Sequence, residues 1–219
     1  MVEIELSREL VLSFQDAVFG GLLVKGIPNK KQNALLNKKK IELEKSIQTK
    51  YDKSIDNVMI HYINYFKRWN KSYPIEIQIE SIIKGKKLPN VSILVDSMFH
   101  AEMKNRILTS GHDLERITGN LKFEVSSGSE NYLKINNKEQ KLKEGDIYLK
   151  DNKTILANIL YGPALRTSIN MNTRNALYLA WCPVGISEEK VKSHLNDILL
   201  NLKTEYKVPE FEIAIYTTK

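Results

Sequence analysis

The period of the apolar residues changes at Gly111, and that change limits the possible folds more than any other feature of the chain. Before it the spacing is helical: Ile55, Val58, Met59, Tyr62, Ile63 and Phe66 fall on one face of a helix. Leu36, Leu43, Ile47 and Tyr51 do the same over Asn33–Tyr51. Ser-Tyr-Pro at 72–74 breaks the run, Ile75–Ile83 reads as a further short helix, and Pro89 opens another carrying Val91, Leu94, Val95, Met98 and Phe99. After Gly111 short strands replace helices. Leu121–Val125, Tyr132–Ile135, Ile147–Lys150 and Thr154–Leu160 are separated by the turn-forming stretches Ser-Ser-Gly-Ser, Asn-Asn-Lys and Lys-Glu-Gly-Asp.

The ends of the chain complete the pattern. Val2–Leu6 reads as a strand, Ser7 as an N-cap for helical turns around Leu10–Phe14, and Val18–Ile27 as a buried strand. Ala176–Trp181 is apolar on both faces, which predicts a central strand. Ser187-Glu-Glu-Lys caps a helix with the stripe Val191, Leu195, Ile198, Leu199, Leu202 and Tyr206, and Phe211–Tyr216 is a last strand. This order predicts an α+β fold with the sheet core in the second half. At 219 residues it is one domain or two lobes sharing a core, with 1–87 packed on 88–219.

Composition excludes several classes. Apolar residues make up 42% and charged residues 27%, a globular mix. No apolar run approaches the roughly 18–20 residues that span a bilayer. The opening Met-Val-Glu-Ile-Glu-Leu-Ser has neither the basic nor the apolar region of a secretion signal. Cys182 is the one cysteine, so no internal disulfide forms and a cytoplasmic location is expected. His61, His100, His112 and His194 are scattered without ligand spacing, which predicts no metal. GxGxxG, GxxxxGK[ST] and GxSxG are absent, so neither a nucleotide cofactor nor a serine hydrolase elbow is expected. The net charge of +7 suits a polyanionic partner and equally suits solubility.

Four features could carry chemistry. Lysines crowd Lys25–Lys53, including Lys38, Lys39 and Lys40, and recur at Lys84, Lys86 and Lys87. They could track phosphates or merely solvate a helix face. Tyr62, Tyr65, Phe66, Trp69 and Tyr73 interleave with Lys67, Arg68 and Lys71; packing accounts for most of them and leaves Tyr65 and Trp69 as candidates for a ligand. Asp113 reads as the cap of a short helical turn. The loop Arg166-Thr-Ser-Ile-Asn-Met-Asn-Thr-Arg-Asn175 could line a polar pocket or satisfy its own backbone.

Three segments in order carry a resemblance: Leu88-Pro-Asn-Val-Ser-Ile-Leu-Val-Asp96, Gly111-His-Asp-Leu-Glu-Arg-Ile-Thr-Gly119, and Thr173-Arg-Asn-Ala-Leu-Tyr-Leu-Ala180. The series resembles the tRNA-binding and editing module formed by the third and fourth domains of the phenylalanyl-tRNA synthetase β subunit, and its freestanding relatives more closely. The resemblance is strongest over 88–185. It implies an α+β fold with a β-sandwich-like mixed sheet core flanked by helices, no cofactor, and aminoacyl-tRNA as partner. It further implies hydrolysis of a mischarged aminoacyl ester, a second sieve where one pocket cannot reject every near-isostere.

On this resemblance the pocket lies between Val91–Met103 and the 166–175 loop. His112, Thr167, Ser168 and Thr173 are the candidate catalytic residues, with His112 as acid–base group. Asp96, Arg166, Asn170 and Asn175 are candidates for substrate binding, and Lys38, Lys39, Lys40, Lys84, Lys86 and Lys87 for RNA. The chain departs from the family pattern at Phe99, where relatives carry Asn, at Arg106 and Leu108, where they carry Gly and Pro, and near Ser110, where the synthetase has a histidine. The glutamate that reads tyrosine would fall near Leu165, so tyrosine selectivity does not transfer. A non-catalytic RNA binder and a protein or small-molecule interaction module are the alternative readings.

Overall fold

Ser7 ends the first strand and starts the first helix, because its Oγ accepts the Leu10 amide hydrogen at 3.1 Å. The computed structural model describes all residues except 1, 2, 32, 33, 53–55, 184 and 205. Val2, Asn33, Lys53 and Ile55, named above, therefore lie outside the described residues. The first half contains β1 (Ile4–Leu6), α1 (Arg8–Ser13), β2 (Val18–Lys25), α2 (Ala34–Lys50), α3 (Asn57–Lys67), α4 (Pro74–Ile83) and α5 (Ile93–Asn105). Asp56 caps α3, and Pro74 stands in the first turn of α4, where a missing N–H is harmless.

The second half runs through β3 (Thr109–Asp113), a 3₁₀ turn (Leu114–Arg116), β4 (Leu121–Val125), β5 (Asn131–Leu133) and β6 (Glu139–Lys141). It continues with β7 (Ile147–Lys150), β8 (Ile155–Asn158), β9 (Gly162–Pro163), β10 (Ala176–Cys182), α6 (Glu188–Leu202) and β11 (Glu210–Thr217). One sheet has the order β1-β4-β7-β8-β9, with β1 and β4 parallel and the other pairs antiparallel. The second is antiparallel in the order β11-β2-β10-β3, so the doubly apolar β10 is central. The pair β5-β6 forms a separate ribbon. The α+β expectation therefore holds, and residues 4–25 supply strands to both large sheets.

Aromatic rings join the two sheets. Phe19 of β2 stacks on Phe123 of β4 at 4.4 Å between centroids, and Trp181 of β10 meets Phe123 edge-on at 4.9 Å. On the other face of the four-stranded sheet α6 comes so close that a Cβ on Gly20 would sit 2.5 Å from Val191 Cγ1. α5 lies beside α6 and against β3.

β6 and β9 form where no strand is expected, and two further outcomes that bear on the cavity differ from expectation. The helix expected to open at Pro89 begins at Ile93 instead. The preceding residues are held extended: Lys40 Nζ donates to Pro89 O at 2.5 Å, Asp96 Oδ1 accepts the Val91 amide at 2.9 Å, and the Ile93 amide donates to Lys30 O at 2.8 Å. Val91 is exposed as a result rather than part of the buried stripe. The second difference is β3, an edge strand that no apolar alternation announces.

Candidate functional site

A cavity of about 490 Å³ opens where α4, α5, β3 and the 158–163 segment meet. Its size falls in the range typical of small-ligand sites. Ile75, Val95, Met98, Phe99, Ile159 and Leu160 contribute an apolar wall, and Glu102, Thr109, Ser110 and Ser168 supply polar groups. Phe99, Leu108 and Ser110 all line it, so three departures from the family pattern act on one space.

β3 brings the polar end into place. The Thr109 amide donates to Glu102 Oε1 at 2.7 Å, and the Asp113 amide donates to Thr167 O at 2.7 Å. Alternation along the strand sends the backbone groups of Gly111 the same way, away from β10 and to the side where His112 bridges Ser168, and Gly111 lines the cavity. The space is kept by the missing side chain, since a Cβ there would stand 2.8 Å from Ile169 Cδ1. Burial pushes the Glu102 carboxyl up to about 8, the Thr109 hydrogen bond opposing the shift.

Ser110 sits at the end of a buried hydrogen-bond chain. Trp181 Nε1 donates to Ser110 Oγ, His112 Nε2 lies 2.9 Å from the same oxygen, and His112 Nδ1 lies 2.9 Å from Thr167 Oγ1. His112 is fully buried; that burial, assisted by the charge of Arg166, lowers its pKa to about 4. The imidazole is therefore neutral at pH 7, one ring nitrogen donating and the other accepting. It positions Ser110 and does not line the cavity itself.

The opposite wall is fixed by Asp146. Its carboxylate accepts from Tyr65 Oη at 2.7 Å, from the Ile147 amide at 3.0 Å, from the Leu160 amide at 3.4 Å and from Asn158 Nδ2. Tyr132 Oη donates to Gly162 O at 2.7 Å and lies 3.0 Å from Asn158 Oδ1. Burial holds Asp146 up at about 6 despite these bonds. Tyr65 is thus a buried anchor rather than a platform for a ligand, and Trp69 Nε1 is tied to Glu144 O at 3.1 Å.

The loop residues expected around the pocket divide sharply. Ser168 lines it; Thr167 holds His112. Thr173 Oγ1 donates to Asp113 Oδ2 at 2.8 Å and accepts the Asn170 amide at 3.0 Å. Asn170 Oδ1 accepts the Asn172 amide, and Asn175 braces Gly26 N against Glu115 Oε1. Arg166 reaches Asp151 Oδ2 and Arg116 O, both at 2.5 Å. Much of the loop thus satisfies its own and its neighbours' polar groups. Asp113 caps the 3₁₀ turn through the Glu115 amide.

Two further residues stand away from their expected roles. Lys40 is 2% exposed and bound to Asp96, Pro89 and Asn90, so it is not a surface contact for RNA. Asp96 faces Lys40 and the Val91 amide, not the cavity. Lys39 Nζ donates to Asn201 Oδ1 at 3.2 Å, whereas Lys38, Lys84, Lys86 and Lys87 are exposed. Glu102 escaped the sequence reading because an isolated glutamate in an amphipathic helix resembles any solvated one. Among the described residues no cluster of three His, Cys, Asp or Glu forms a metal-ligand grouping, and no helix is long and apolar enough to cross a membrane.

The family model described as the B3/4 domain matches residues 57–198. The chain belongs to the B3/4 domain family. The match includes α3, α4, α5, β3 and the whole 158–169 region, so every wall of the cavity lies mainly within the B3/4 segment. A crystal structure of an N-terminal fragment of the phenylalanyl-tRNA synthetase β subunit from Pyrococcus horikoshii is similar to this B3/4 chain in fold, with a TM-score of 0.51 at 13% identity. The similarity covers 97% of this chain and 50% of that one, so the chain spans half the length of the solved fragment. No curated protein matches the sequence.

Proposed function

We propose that this B3/4 domain binds tRNA and hydrolyses a mischarged aminoacyl ester in trans, within the cytoplasm. The cavity beside β3 carries this reading: an apolar space of about 490 Å³ with hydroxyl and carboxyl groups at one end. Lys84, Lys86 and Lys87 precede Leu88, which lines the cavity, so the exposed cluster leads toward its rim. A phosphate backbone held there would present its terminal ester to the polar end.

An aminoacyl ester is already activated, so positioning a water and polarising the carbonyl supply the needed catalysis. Ser110 and Ser168 orient the water, with Ser110 held by Trp181, His112 and, through His112, Thr167. The water oxygen bonds to the carbonyl carbon, the ester C–O bond breaks, and the proton passes to the departing ribose hydroxyl. Incubation with a panel of mischarged tRNAs tests this: release of one amino acid is expected, and no deacylation above buffer for any pair overturns the enzymatic claim.

The burial of His112 favours one second reading, an RNA binder that kept the fold and lost the reaction. No imidazole titrating near neutrality reaches the cavity from this position. Salt-sensitive tRNA binding without ester hydrolysis would select that reading.

A further inference from the structure

Glu102 and Lys134 are the charged side chains along the cavity wall. Glu102 is 5% exposed, and its Oε1 is occupied by the Thr109 amide. Among the described residues its Oε2 has no hydrogen-bond partner, and no basic side chain pairs with it. Tyr73, just before α4, is the phenol that feels its charge, and that hydroxyl is committed to Arg106 O at 2.8 Å. Lys134 and Tyr161 are the other titratable groups on the wall. Burial keeps the carboxyl protonated through neutral pH, which turns an acceptor into an O–H donor. A cation is disfavoured as ligand, because Lys134 lines the same cavity and the chain carries +7.

We propose that the cavity binds an apolar molecule bearing a carbonyl oxygen, to which the Glu102 carboxyl donates a hydrogen bond. The inference rests on the reading of this cavity as the ligand site and names what the ligand presents there. Hydrocarbon and aromatic side chains hold the body, and Glu102 selects the head group. An ester carbonyl belongs to this class, and so do ketones and amides. The protonated Glu102 donates without a carboxylate having to be desolvated against the ligand.

The full chain is titrated with three molecules of similar shape, benzylacetone, butylbenzene and phenylbutylamine, by ligand-observed NMR at pH about 6 and about 10. Benzylacetone is expected to bind about tenfold more tightly than butylbenzene at the lower pH. This preference falls as the pH rises through about 8, the value at which Glu102 loses its proton. Glu102→Gln keeps a donor and the Thr109 cap, so its preference persists at both pH values; Glu102→Met loses the preference and still binds butylbenzene. Equal binding of ketone and hydrocarbon, a pH-independent preference in the unmodified chain, a preference for the amine, or no binding of any of the three overturns the proposal. If Glu102→Met does not fold, the pH profiles of the unmodified chain and Glu102→Gln decide. Ketone preference without deacylation of any tRNA retains this inference and removes hydrolysis; deacylation without ketone preference does the reverse.

Discussion

Lys40 Nζ lies 3.1 Å from Asp96 Oδ2, with both side chains almost sealed from water. The pair joins α2 to α5, and Lys40 also binds Pro89 O and Asn90 Oδ1, fixing the extended approach to α5. Removing one partner leaves a buried charge unmatched, so Lys40→Met is expected to destabilise the fold by about 3–5 kcal/mol. Lys40→Met combined with Asp96→Asn restores neutrality and recovers part of that loss. Urea denaturation of the single and double variants measures both values, and a loss below about 1 kcal/mol for Lys40→Met contradicts the structural role.

The burial of Lys40 narrows the test of RNA binding to exposed lysines. Replacing Lys38, Lys84, Lys86 and Lys87 by Glu should weaken tRNA binding and flatten the dependence of log affinity on log salt. The slope should fall by about 0.7 for each single-strand phosphate that is no longer neutralised. Filter binding over a range of salt concentrations gives the slope. Unchanged affinity and slope would reduce these lysines to a solvated face.

Glu102 and Asp146 set a pH dependence of stability with a definite sign. Both carboxyls are raised by burial, to about 8 and about 6, so the folded chain holds their protons more tightly than the unfolded chain. Their stabilising contribution is complete below the unfolded carboxylate range, near 4, and is lost as the pH rises through the folded values. His100, His112 and His194, lowered by burial to about 4, act in the opposite sense up to their unfolded value near 6.5. Thermal denaturation should therefore show the decline between pH about 6.5 and about 8, carried by Glu102, at on the order of a few kcal/mol. Glu102→Gln should flatten the upper part of the decline. A variant curve parallel to that of the unmodified chain up to pH about 8 counts against a buried, raised Glu102.

Gly20 permits the close approach of β2 and α6. A Cβ there would stand 2.5 Å from Val191 Cγ1 and 2.8 Å from Leu195 Cδ1. Gly20→Ala is expected to cost about 1–3 kcal/mol through overpacking, and Val191→Ala in the same chain to return some of it. Denaturation midpoints that do not move with Gly20→Ala would place α6 farther from the sheet than it stands here.

The legible parts of this fold were those with a periodic apolar signal. The stripe of α3, the capped start of α6 and the doubly apolar β10 all carry one, and each forms close to the expected range. β3 was hidden because Thr109-Ser-Gly-His-Asp113 is polar. Its pairing rests on backbone bonds to β10, with the Thr109 amide taken by the nearby Glu102 carboxyl and the Asp113 amide by the Thr167 carbonyl from far along the chain. The cavity inherits that opacity. Ser168 could be named from a polar loop beside a core strand, but the remaining loop residues bond one another, and Arg166 pairs with Asp151. Tyr65 looked free because its position lies off the centre of the α3 stripe; a buried carboxylate on β7's approach gives its hydroxyl a partner.

The Tyr65–Asp146 bond links positions 81 residues apart, and the 158–163 wall hangs from that junction. Tyr65 does not line the cavity. Mutational drift at a helix in the first half of the chain can therefore reshape the cavity without replacing one residue that lines it. Substitutions that alter its shape should be sought in this hidden scaffold as well as along the wall.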